Sequence, residues 1–322
     1  MTNARIRLAG FDLPSILERP GHALHGSDRL YPETNCYADL VVELLHARGD
    51  EPLAVLGCCA ALDFEGDQFT FFKPPPEELQ ALFGIDVHEM QPYRALEQQL
   101  RELLPTGRTV TVEVDSWYLP DTAATDYRTN HVKSSIAPLA LDPDDQVLHY
   151  VHGRGVFTLT GEDYRGALRL EPLPAVALPP YTELVRFDAG PRLGGTELQA
   201  AARELLAGHL RRAPGAAAVH RFGEHLDASL PDLLAGTEAD FHAYAFASVR
   251  MLGAAAGALE LQARWLFPSA AAAIAACDAV TGSCKVLSFR LARRRPFDPA
   301  PIVVELAVQW QAVLEQLDAL VA

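Results

Sequence analysis

A proline-rich stretch constrains the fold of this chain more than any other feature of its sequence. The run "EPLPAVALPPYT" at residues 171–182 contains four prolines, which exclude a regular helix and favour an extended connection. Helical and strand periods alternate before this run, whereas alanine-rich helical segments dominate after it. A chain of 322 residues also exceeds the usual size of one domain. We therefore expect an α+β protein with an N-terminal domain at residues 1–175 and an α-helical domain at residues 183–322.

Three helices and then a group of strands are predicted for the N-terminal domain. The helical segments are "CYADLVVELLHARG", "PPPEELQALFGI" and "YRALEQQLRELLPTG", the first two of which end at Gly49 and Gly84. The segment "RTVTVEVDSWYL" alternates as a strand does, and "HVKSSIAPLAL" and "QVLHYVHG" flank the turn residues "DPDD". The sequence therefore predicts a β-hairpin, followed by a short helix "TGEDYRGAL" with Thr160 as its cap.

The C-terminal domain is predicted to consist of helices. Period, alanine content and length indicate four helical segments, which are "GGTELQAAARELLAGHLRR", "EADFHAYAFASVRMLGAAAGALELQARWLF", "SAAAAIAACDAVTGSCKVLSFRLARRR" and "PAPIVVELAVQWQAVLEQLDALV". The most apolar stretch, "SAAAAIAACDAV", is shorter than a membrane span, and five cysteines without a signal peptide fit a reducing compartment. We expect a cytoplasmic protein with free thiols and no membrane association.

Charge is distributed unevenly along the chain. Residues 1–180 contain 14 Lys and Arg against 27 Asp and Glu, a net charge of −13; the remainder contains 13 against 15, a net charge of −2. Neutralising the phosphates of a nucleic acid needs a dense cationic face, so nucleic-acid binding is not expected. The sequence also lacks a Walker loop, a dinucleotide-binding glycine fingerprint and a paired CxxC motif, so we expect no bound cofactor or metal.

One cysteine lies where a helix is predicted to begin. The unpaired backbone N–H groups and the positive end of the dipole at a helix N-terminus favour the thiolate of Cys36 and could hold an oxyanion, with Asn35 as a side-chain donor. The alternative is a packed, inert thiol. The remaining cysteines lie in apolar or alanine-rich runs that fit this inert role, namely Cys58, Cys59, Cys277 and Cys284.

His131 is the candidate general base, at the start of the first hairpin strand. A thiolate attacks acyl groups well, and a nearby imidazole can take its proton and later protonate the leaving group. The preceding loop at residues 113–131 contains Asp115, expected to hydrogen-bond the loop, and Tyr118 and Tyr127, which either line an acyl pocket or pack the loop. The alternative for His131 is a surface residue beside a turn.

The group that orients His131 is left open by the sequence. Asp142, Asp144 and Asp145 lie in the predicted hairpin turn and bring charge, whereas His152 lies at the end of the second hairpin strand. All of them are candidates if the hairpin forms. The sequence does not choose between them.

The run "ETNCYADL…DFEGDQFTFFKPPPEEL…EVDSWYLPDT…TDYRTNHVK…GEDY" resembles an uncharacterised bacterial family with a papain-like (C39-like) N-terminal domain, over roughly residues 28–170. That family is similar to the butirosin-pathway acyltransferases, which move an aminoacyl group from a carrier-protein thioester to an amine. The resemblance implies Cys36 as nucleophile and His131 as base. Papain-like proteins have Asp or Asn as third member where this chain has "LHYVHGRG", so His152 or a turn aspartate would substitute.

The resemblance also implies a substrate, because members of that family are associated with enzymes that load amino acids onto carrier proteins. The predicted activity is a cysteine-dependent aminoacyltransferase that uses a phosphopantetheine-bound thioester and an amine or peptide acceptor. A peptidase or amidase with the same residues and a non-catalytic carrier-protein-binding module are the alternatives. Arg293, Arg294 and Arg295 are predicted to dock the acidic carrier protein, or else to form a solvated basic helix end.

Overall fold

The computed structural model describes residues 5–171 and 178–322 and has the mixed α+β composition that the sequence predicts. The strands are β1 Ile6–Arg7, β2 Phe64–Glu65, β3 Gln68–Phe69, β4 Asp86–Met90, β5 Arg108–Asp115, β6 Lys133–Asp142, β7 Val147–His152, β8 Gly155–Thr160 and β9 Thr182–Arg186. The helices are α1 Leu13–Glu18, α2 Cys36–Arg48, α3 Pro76–Phe83, α4 Leu96–Leu103, α5 Gly161–Ala167, α6 Gly195–Leu210, α7 Ala216–Ala235, α8 Glu238–Ala245, α9 Met251–Leu266, α10 Ala271–Ala292 and α11 Ala300–Val321.

The chain forms two compact units that are not continuous in sequence. The sheet unit comprises Met1–Ala23, Cys36–Pro52 and Pro76–Leu193, and the helical unit comprises Leu24–Asn35, Leu53–Pro75 and Gly194–Ala322. The sequence-based boundary at residue 183 falls inside β9, a strand of the sheet unit. Residues 172–177 of the proline-rich stretch lie outside the described residues. Short excursions of the chain between two cores leave no compositional signal, so sequence alone reads them as part of the surrounding domain.

The sheet unit contains an antiparallel sheet with the strand order β4-β9-β5-β6-β7-β8, to which β1 adds against β6. The predicted hairpin is present, with Asp142 of β6 opposite Val147 of β7. Strand β6 begins at Lys133, so His131 lies two residues before it, although the carbonyl of Val132 still accepts a hydrogen bond from Ser116 N. The strands β4 and β9 are too short and too polar to have been predicted.

One end of β5 is open on one side. Strand β9 pairs with β5 only as far as Val112, and Glu113 N then donates to the carbonyl of Tyr181 at 3.0 Å. Beyond this point β5 is paired, among residues 5–171 and 178–322, with β6 alone, and Asp115 lies opposite Lys133. We call this end of the strand the open edge of β5.

Helix α2 is the buried helix of the sheet unit. It packs against β6 and β7, and residues on all its sides are buried, which explains its weak amphipathic pattern. It ends before Gly49, whose φ of +82° closes the helix in the left-handed conformation, as predicted. Helix α3 likewise begins at Pro76 and ends before Gly84, where an added Cβ would lie 2.3 Å from the carbonyl oxygen of Gly190.

The helical unit packs α6 to α11 around a core that includes Phe222 and the fully buried Trp310. The predicted helix from residue 238 to residue 267 is divided into α8 and α9 by a π-helical turn at Phe246–Arg250. Helix α7 was not predicted from the sequence, because Gly223 and Pro231 interrupt its pattern.

Helix α10 is longer than the apolar stretch from which the sequence excluded a membrane span. Its 22 residues have a mean hydropathy of 1.3 over 18 residues, which suffices by length and composition to cross a bilayer. Cys277, Cys284 and Leu287 face inward, and α10 packs between α9 and α11. One such helix is weak evidence for a span, since helices of soluble proteins pass the same test.

Candidate active site

Cys36 is the first residue of α2, as the sequence predicts, and it is partly buried. Its Sγ lies 3.9 Å from the Oγ of Ser135 on β6, and either atom can act as the donor. Ser135 is itself buried. The thiol therefore meets the sheet through a serine hydroxyl.

Burial is the main influence on this thiol, and it raises the pKa of Cys36 above the ordinary value of 9.0. The hydrogen bond from Ser135 and the positive charge of Lys133 lower the pKa in part, whereas the charge of Asp39 raises it. The helix N-terminus predicted a thiolate at neutral pH. The structure corrects this prediction, because the loss of solvation outweighs the favourable charges and keeps the resting thiol protonated.

His131 is held by Asp115. The Nδ1 of His131 lies 2.6 Å from Oδ2 of Asp115, whose other oxygen accepts the N–H of Trp117 at 3.0 Å. The imidazole stacks on the indole of Trp117, with ring centroids 4.5 Å apart and an angle of 8° between the planes. A carboxylate that accepts Nδ1–H leaves the lone pair on Nε2, so the ring is oriented as an acceptor of protons.

A cavity of about 610 Å³ surrounds this pair at the open edge of β5. Its wall combines cationic, acidic and aromatic side chains with a proline-containing segment, and it is lined by Glu113, Val114, Asp115, Tyr118, His131, Val132, Lys133, Arg165, Gly166, Arg169, Glu171 and residues 178–181. The side chain of His131 is 66% exposed and that of Asp115 is 33% exposed. A ligand in the cavity can therefore reach the imidazole directly.

Cys36 and His131 are not in hydrogen-bond contact. Ser135, the neighbour of Cys36, and His131 are four residues apart along β6 and its extension, or roughly 13 Å of extended backbone. Lys133 lies between them on the same face of the strand, because side chains two residues apart point the same way. Lys133 thus lies along the chain between Ser135, which contacts the thiol of Cys36, and His131, and we call these side chains the row along β6.

Comparison with protein families assigns both parts of the chain. Residues 20–187 match the DUF1839 N-terminal domain, and residues 195–319 match the DUF1839 C-terminal domain. The chain belongs to the DUF1839 family. No curated protein matches the sequence. Cys36, His131 and the cavity all lie within the match to the DUF1839 N-terminal domain, so this domain contains the candidate site.

Asp142 is not placed to orient His131. It lies at the opposite end of β6, nine residue steps from Lys133, which corresponds to about 30 Å of extended strand. Its Oδ1 accepts the backbone N–H groups of Asp144 and Asp145, each at 3.1 Å. Asp142 therefore stabilises the hairpin turn, and its predicted alternative role at His131 is corrected.

His152 is the other predicted partner of His131, and it too is bonded elsewhere. Its Nδ1 lies 2.5 Å from Asp121 and its Nε2 lies 2.6 Å from Ser134. Ser134 and Ser135 are consecutive on β6 and point to opposite faces. His152 is therefore on the face of the DUF1839 sheet that Cys36 does not contact, and Asp115 occupies the place that the sequence left open.

The predicted substrate-binding residues have mixed surroundings. The side-chain amide of Asn35 is buried and donates to the carbonyl of Phe72 at 3.0 Å, so one of its N–H groups is not available to an oxyanion. Tyr118 lines the cavity and packs on Gly166, where an added Cβ would lie 2.2 Å from its ring. The hydroxyl of Tyr127 donates to Asp163 at 3.0 Å, which holds the loop onto α5.

The three consecutive arginines after α10 differ in their availability. The guanidinium of Arg293 lies 4.4 Å from the ring centroid of Phe289. Arg294 has a φ of +50° and donates to the carbonyls of Leu234 and Gly236, so it binds the end of α7. Arg295 is exposed. Only Arg293 and Arg295 are therefore available to a partner without loss of internal bonds.

Several residues of the site could not be identified by motif. No motif marks Trp117, Asp121, Ser134 or Ser135, although the run "KSS" at the start of a predicted strand implies that the two serines face opposite ways. Among residues 5–171 and 178–322 no cluster of three or more His, Cys, Asp or Glu side chains is arranged to hold a metal ion.

Proposed function

We propose that this protein is an acyltransferase that moves an aminoacyl group from a carrier-protein phosphopantetheine thioester to an amine acceptor. The observation that carries the proposal is the Asp115–His131 pair at the wall of a 610 Å³ cavity. A helix that begins at Cys36 and lies against antiparallel strands supports a papain-like arrangement. The charge of Asp115 on His131 provides a base, and the volume of the cavity provides space for an acyl group, so both features are suited to acyl transfer.

In the first step Cys36 attacks the thioester carbonyl. The C–S bond to pantetheine breaks, a new C–S bond to Cys36 forms, and the proton of Cys36 leaves with the pantetheine thiol. Transfer of an acyl group from one sulfur to another needs no strong base; it is enough that a fraction of the Cys36 thiol is ionised. Ser135 and Lys133 supply that fraction, since both lower the pKa of Cys36 against the effect of burial.

In the second step an amine attacks the acyl group on Cys36. The amine must lose a proton as the C–N bond forms, and we assign Nε2 of His131 as its acceptor, with Asp115 stabilising the imidazolium. Roughly 13 Å of extended backbone separates His131 from Ser135, the neighbour of Cys36, so this transfer requires the loop that bears His131 to move toward the thiol. The C–S bond breaks and the thiol of Cys36 is restored. The division of labour follows the positions of the two groups, because His131 lines the cavity whereas Cys36 is not among its lining residues.

The experiment is incubation of the full chain with a panel of aminoacyl carrier proteins, followed by intact-mass measurement. We expect an aminoacyl adduct that is absent from Cys36→Ala and that disappears when an amine acceptor is added. In His131→Ala the adduct should still form but persist in the presence of the amine. An adduct of equal yield in Cys36→Ala would contradict the role of Cys36.

The charges of the helical unit support a docking role for its arginines. Carrier proteins are usually acidic around the phosphopantetheine serine. Arg293 offers a cation next to Phe289, whose side chain is 57% exposed, and Arg295 is also exposed. Changing Arg293 and Arg295 to Glu should raise the KM for the aminoacyl carrier protein about tenfold and leave a small pantetheine thioester unaffected. Equal effects on both donors would mean that the arginines support the fold.

A peptidase or amidase remains the second candidate, favoured by the exposure of His131. An imidazole that is 66% exposed can activate water as well as an amine. The ratio of aminolysis to hydrolysis of the adduct on Cys36 separates the two activities. The non-catalytic alternative is favoured by the raised pKa of Cys36, and it predicts that no adduct forms at all.

A further inference from the structure

Ser134 belongs to a second polar cluster of the sheet unit. Its Oγ lies 2.6 Å from Nε2 of His152, and Nδ1 of the same ring lies 2.5 Å from Oδ2 of Asp121. The hydroxyl of Tyr150 donates to the other carboxylate oxygen of Asp121. A hydroxyl, an imidazole and a carboxylate are thus joined in the order that serine-dependent acyl transfer uses.

These hydrogen bonds determine where the protons lie. The carboxylate of Asp121 accepts Nδ1–H of His152, so Nε2 holds the lone pair that accepts the hydroxyl proton of Ser134. The side chains of His152 and Asp121 are 8% and 6% exposed, so water does not compete for these bonds. The imidazole is therefore fixed as a base that is directed at one hydroxyl.

The neighbours of Ser134 line the cavity, although Ser134 is not itself one of its lining residues. It lies opposite Val114 on β5, and the side chains of directly opposed residues share a face of the sheet. Val114 and Val132, which lies two residues before Ser134, both line the 610 Å³ cavity. Ser134 itself is only partly buried. The hydroxyl of Ser134 therefore lies next to residues of the cavity wall, and its attack on an acyl group in the cavity is part of the proposal that follows.

We propose that Ser134 is an acyl-accepting nucleophile, activated by His152 and Asp121, which takes acyl groups from thioesters bound in the cavity. The inference rests on the proposed function only in the choice of a thioester as donor. It goes beyond that function because it assigns a covalent intermediate to a serine on the face of β6 opposite Cys36.

The reaction is balanced by the groups of the cluster. Oγ of Ser134 forms a C–O bond to the thioester carbon while its proton passes to Nε2 of His152, and Asp121 stabilises the imidazolium. The C–S bond breaks, and the leaving thiolate takes the proton from Nε2 and departs as a thiol. The product is an oxygen ester of Ser134, which an amine or water then cleaves with His152 as the base.

The test is covalent labelling of the full chain with two probes, followed by peptide mapping. A fluorophosphonate forms a P–O bond to an activated serine and releases fluoride, and acetyl-pantetheine delivers an acetyl group. We expect both probes to modify Ser134, and Asp121→Asn to slow its phosphonylation by about 100-fold or more. Ser269→Ala, which removes an exposed serine of the helical unit, should leave the labelling unchanged.

Labelling of the unchanged protein needs no variant, so the outcome does not depend on whether Asp121→Asn folds. Failure of both probes to modify Ser134 would overturn the inference, as would equal phosphonylation in a folded Asp121→Asn variant. Acetylation of Cys36 alone would overturn the inference and support the proposed function. Acetylation of Ser134 that persists in Cys36→Ala would support the inference and contradict the requirement for Cys36.

Discussion

Two of the aspartate–histidine pairs described in the sheet unit join a carboxylate to the Nδ1 of an imidazole and have opposite surroundings. In the pair Asp115–His131 the side chains are 33% and 66% exposed, whereas in the pair Asp121–His152 they are 6% and 8% exposed. The distances are nearly equal, at 2.6 and 2.5 Å. The contrast shows that geometry alone does not define the role of such a pair. An exposed imidazole can exchange protons with a ligand at little cost to stability, whereas the loss of a buried imidazole also destabilises the fold.

The two pairs are also connected through one loop. The loop leaves β5 at Asp115, passes through the short turn Pro120–Thr122 and returns to β6 after His131. Asp121, within that turn, is bound by His152 and by the hydroxyl of Tyr150. The buried pair thereby anchors the middle of the loop whose two ends form the exposed pair. Precise placement of His131 depends on His152, although the two rings do not touch each other.

The largest effect that separates the pairs is expected on activity. His131→Ala should reduce transfer to an amine by about 10²- to 10⁴-fold, because the acceptor loses its base. The free energy of unfolding should change by less than about 1 kcal/mol, since the lost bond is exposed. Steady-state rates and urea unfolding measure the two quantities. A wild-type rate in His131→Ala would remove the exposed pair from the reaction.

Local signals in the sequence were sufficient for the helix at Cys36 and for the hairpin. Gly49 ends α2 and the residues "DPDD" separate β6 from β7, and both features act within a few residues of the chain. The mixed composition of the first part and the helical character of the second follow from periodicity in the same way. These predictions are confirmed because they depend on neighbours in sequence.

The partners of each histidine could not be predicted, because they depend on strand register. A shift of one residue moves every side chain of a strand to the other face, so Ser134 and Ser135 acquire unrelated neighbours. The sequence therefore offered His152 and Asp142 as partners of His131, while the register places Asp115 beside it. Burial is equally non-local, which is why the sequence predicted a thiolate at Cys36 and the structure indicates a raised pKa.

The second expected effect is on stability. Here the buried pair should show the large change and the exposed pair the small one. His152→Ala should lower the free energy of unfolding by about 2–4 kcal/mol, because it leaves the carboxylate of Asp121 buried with fewer partners. Trp117 is the tryptophan of the sheet unit, so its fluorescence during urea unfolding reports on this part of the chain. His131→Ala is the matched control. Equal losses in the two variants would show that the difference in exposure has no energetic consequence.

The smallest expected effect is on the reactivity of the Cys36 thiol, which contacts β6 through Ser135. Burial raises the pKa of Cys36 above 9.0, so the thiolate fraction, and with it the rate of alkylation by iodoacetamide, should still be rising with pH above that value. The contribution of the neutral Cys36 thiol to the free energy of unfolding is fully present below the ordinary thiol pKa of 9.0. It is lost as the pH rises through the higher folded-state value.

Lys133→Met tests whether the row of side chains on β6 is electrostatically coupled. The ammonium of Lys133 lowers the pKa of Cys36, so its removal should raise that pKa and slow alkylation at neutral pH by about two- to fivefold, the range expected for an exposed charge. Salt should diminish the difference, because mobile ions screen exposed charges. The control is Lys285→Met on α10, whose charge is not among those that act on Cys36.

If Lys133→Met is alkylated at the wild-type rate at low salt, then the charge of Lys133 on β6 does not influence Cys36. The acyl group would in that case need a nucleophile nearer the cavity, and Ser134 is the residue whose neighbours line it.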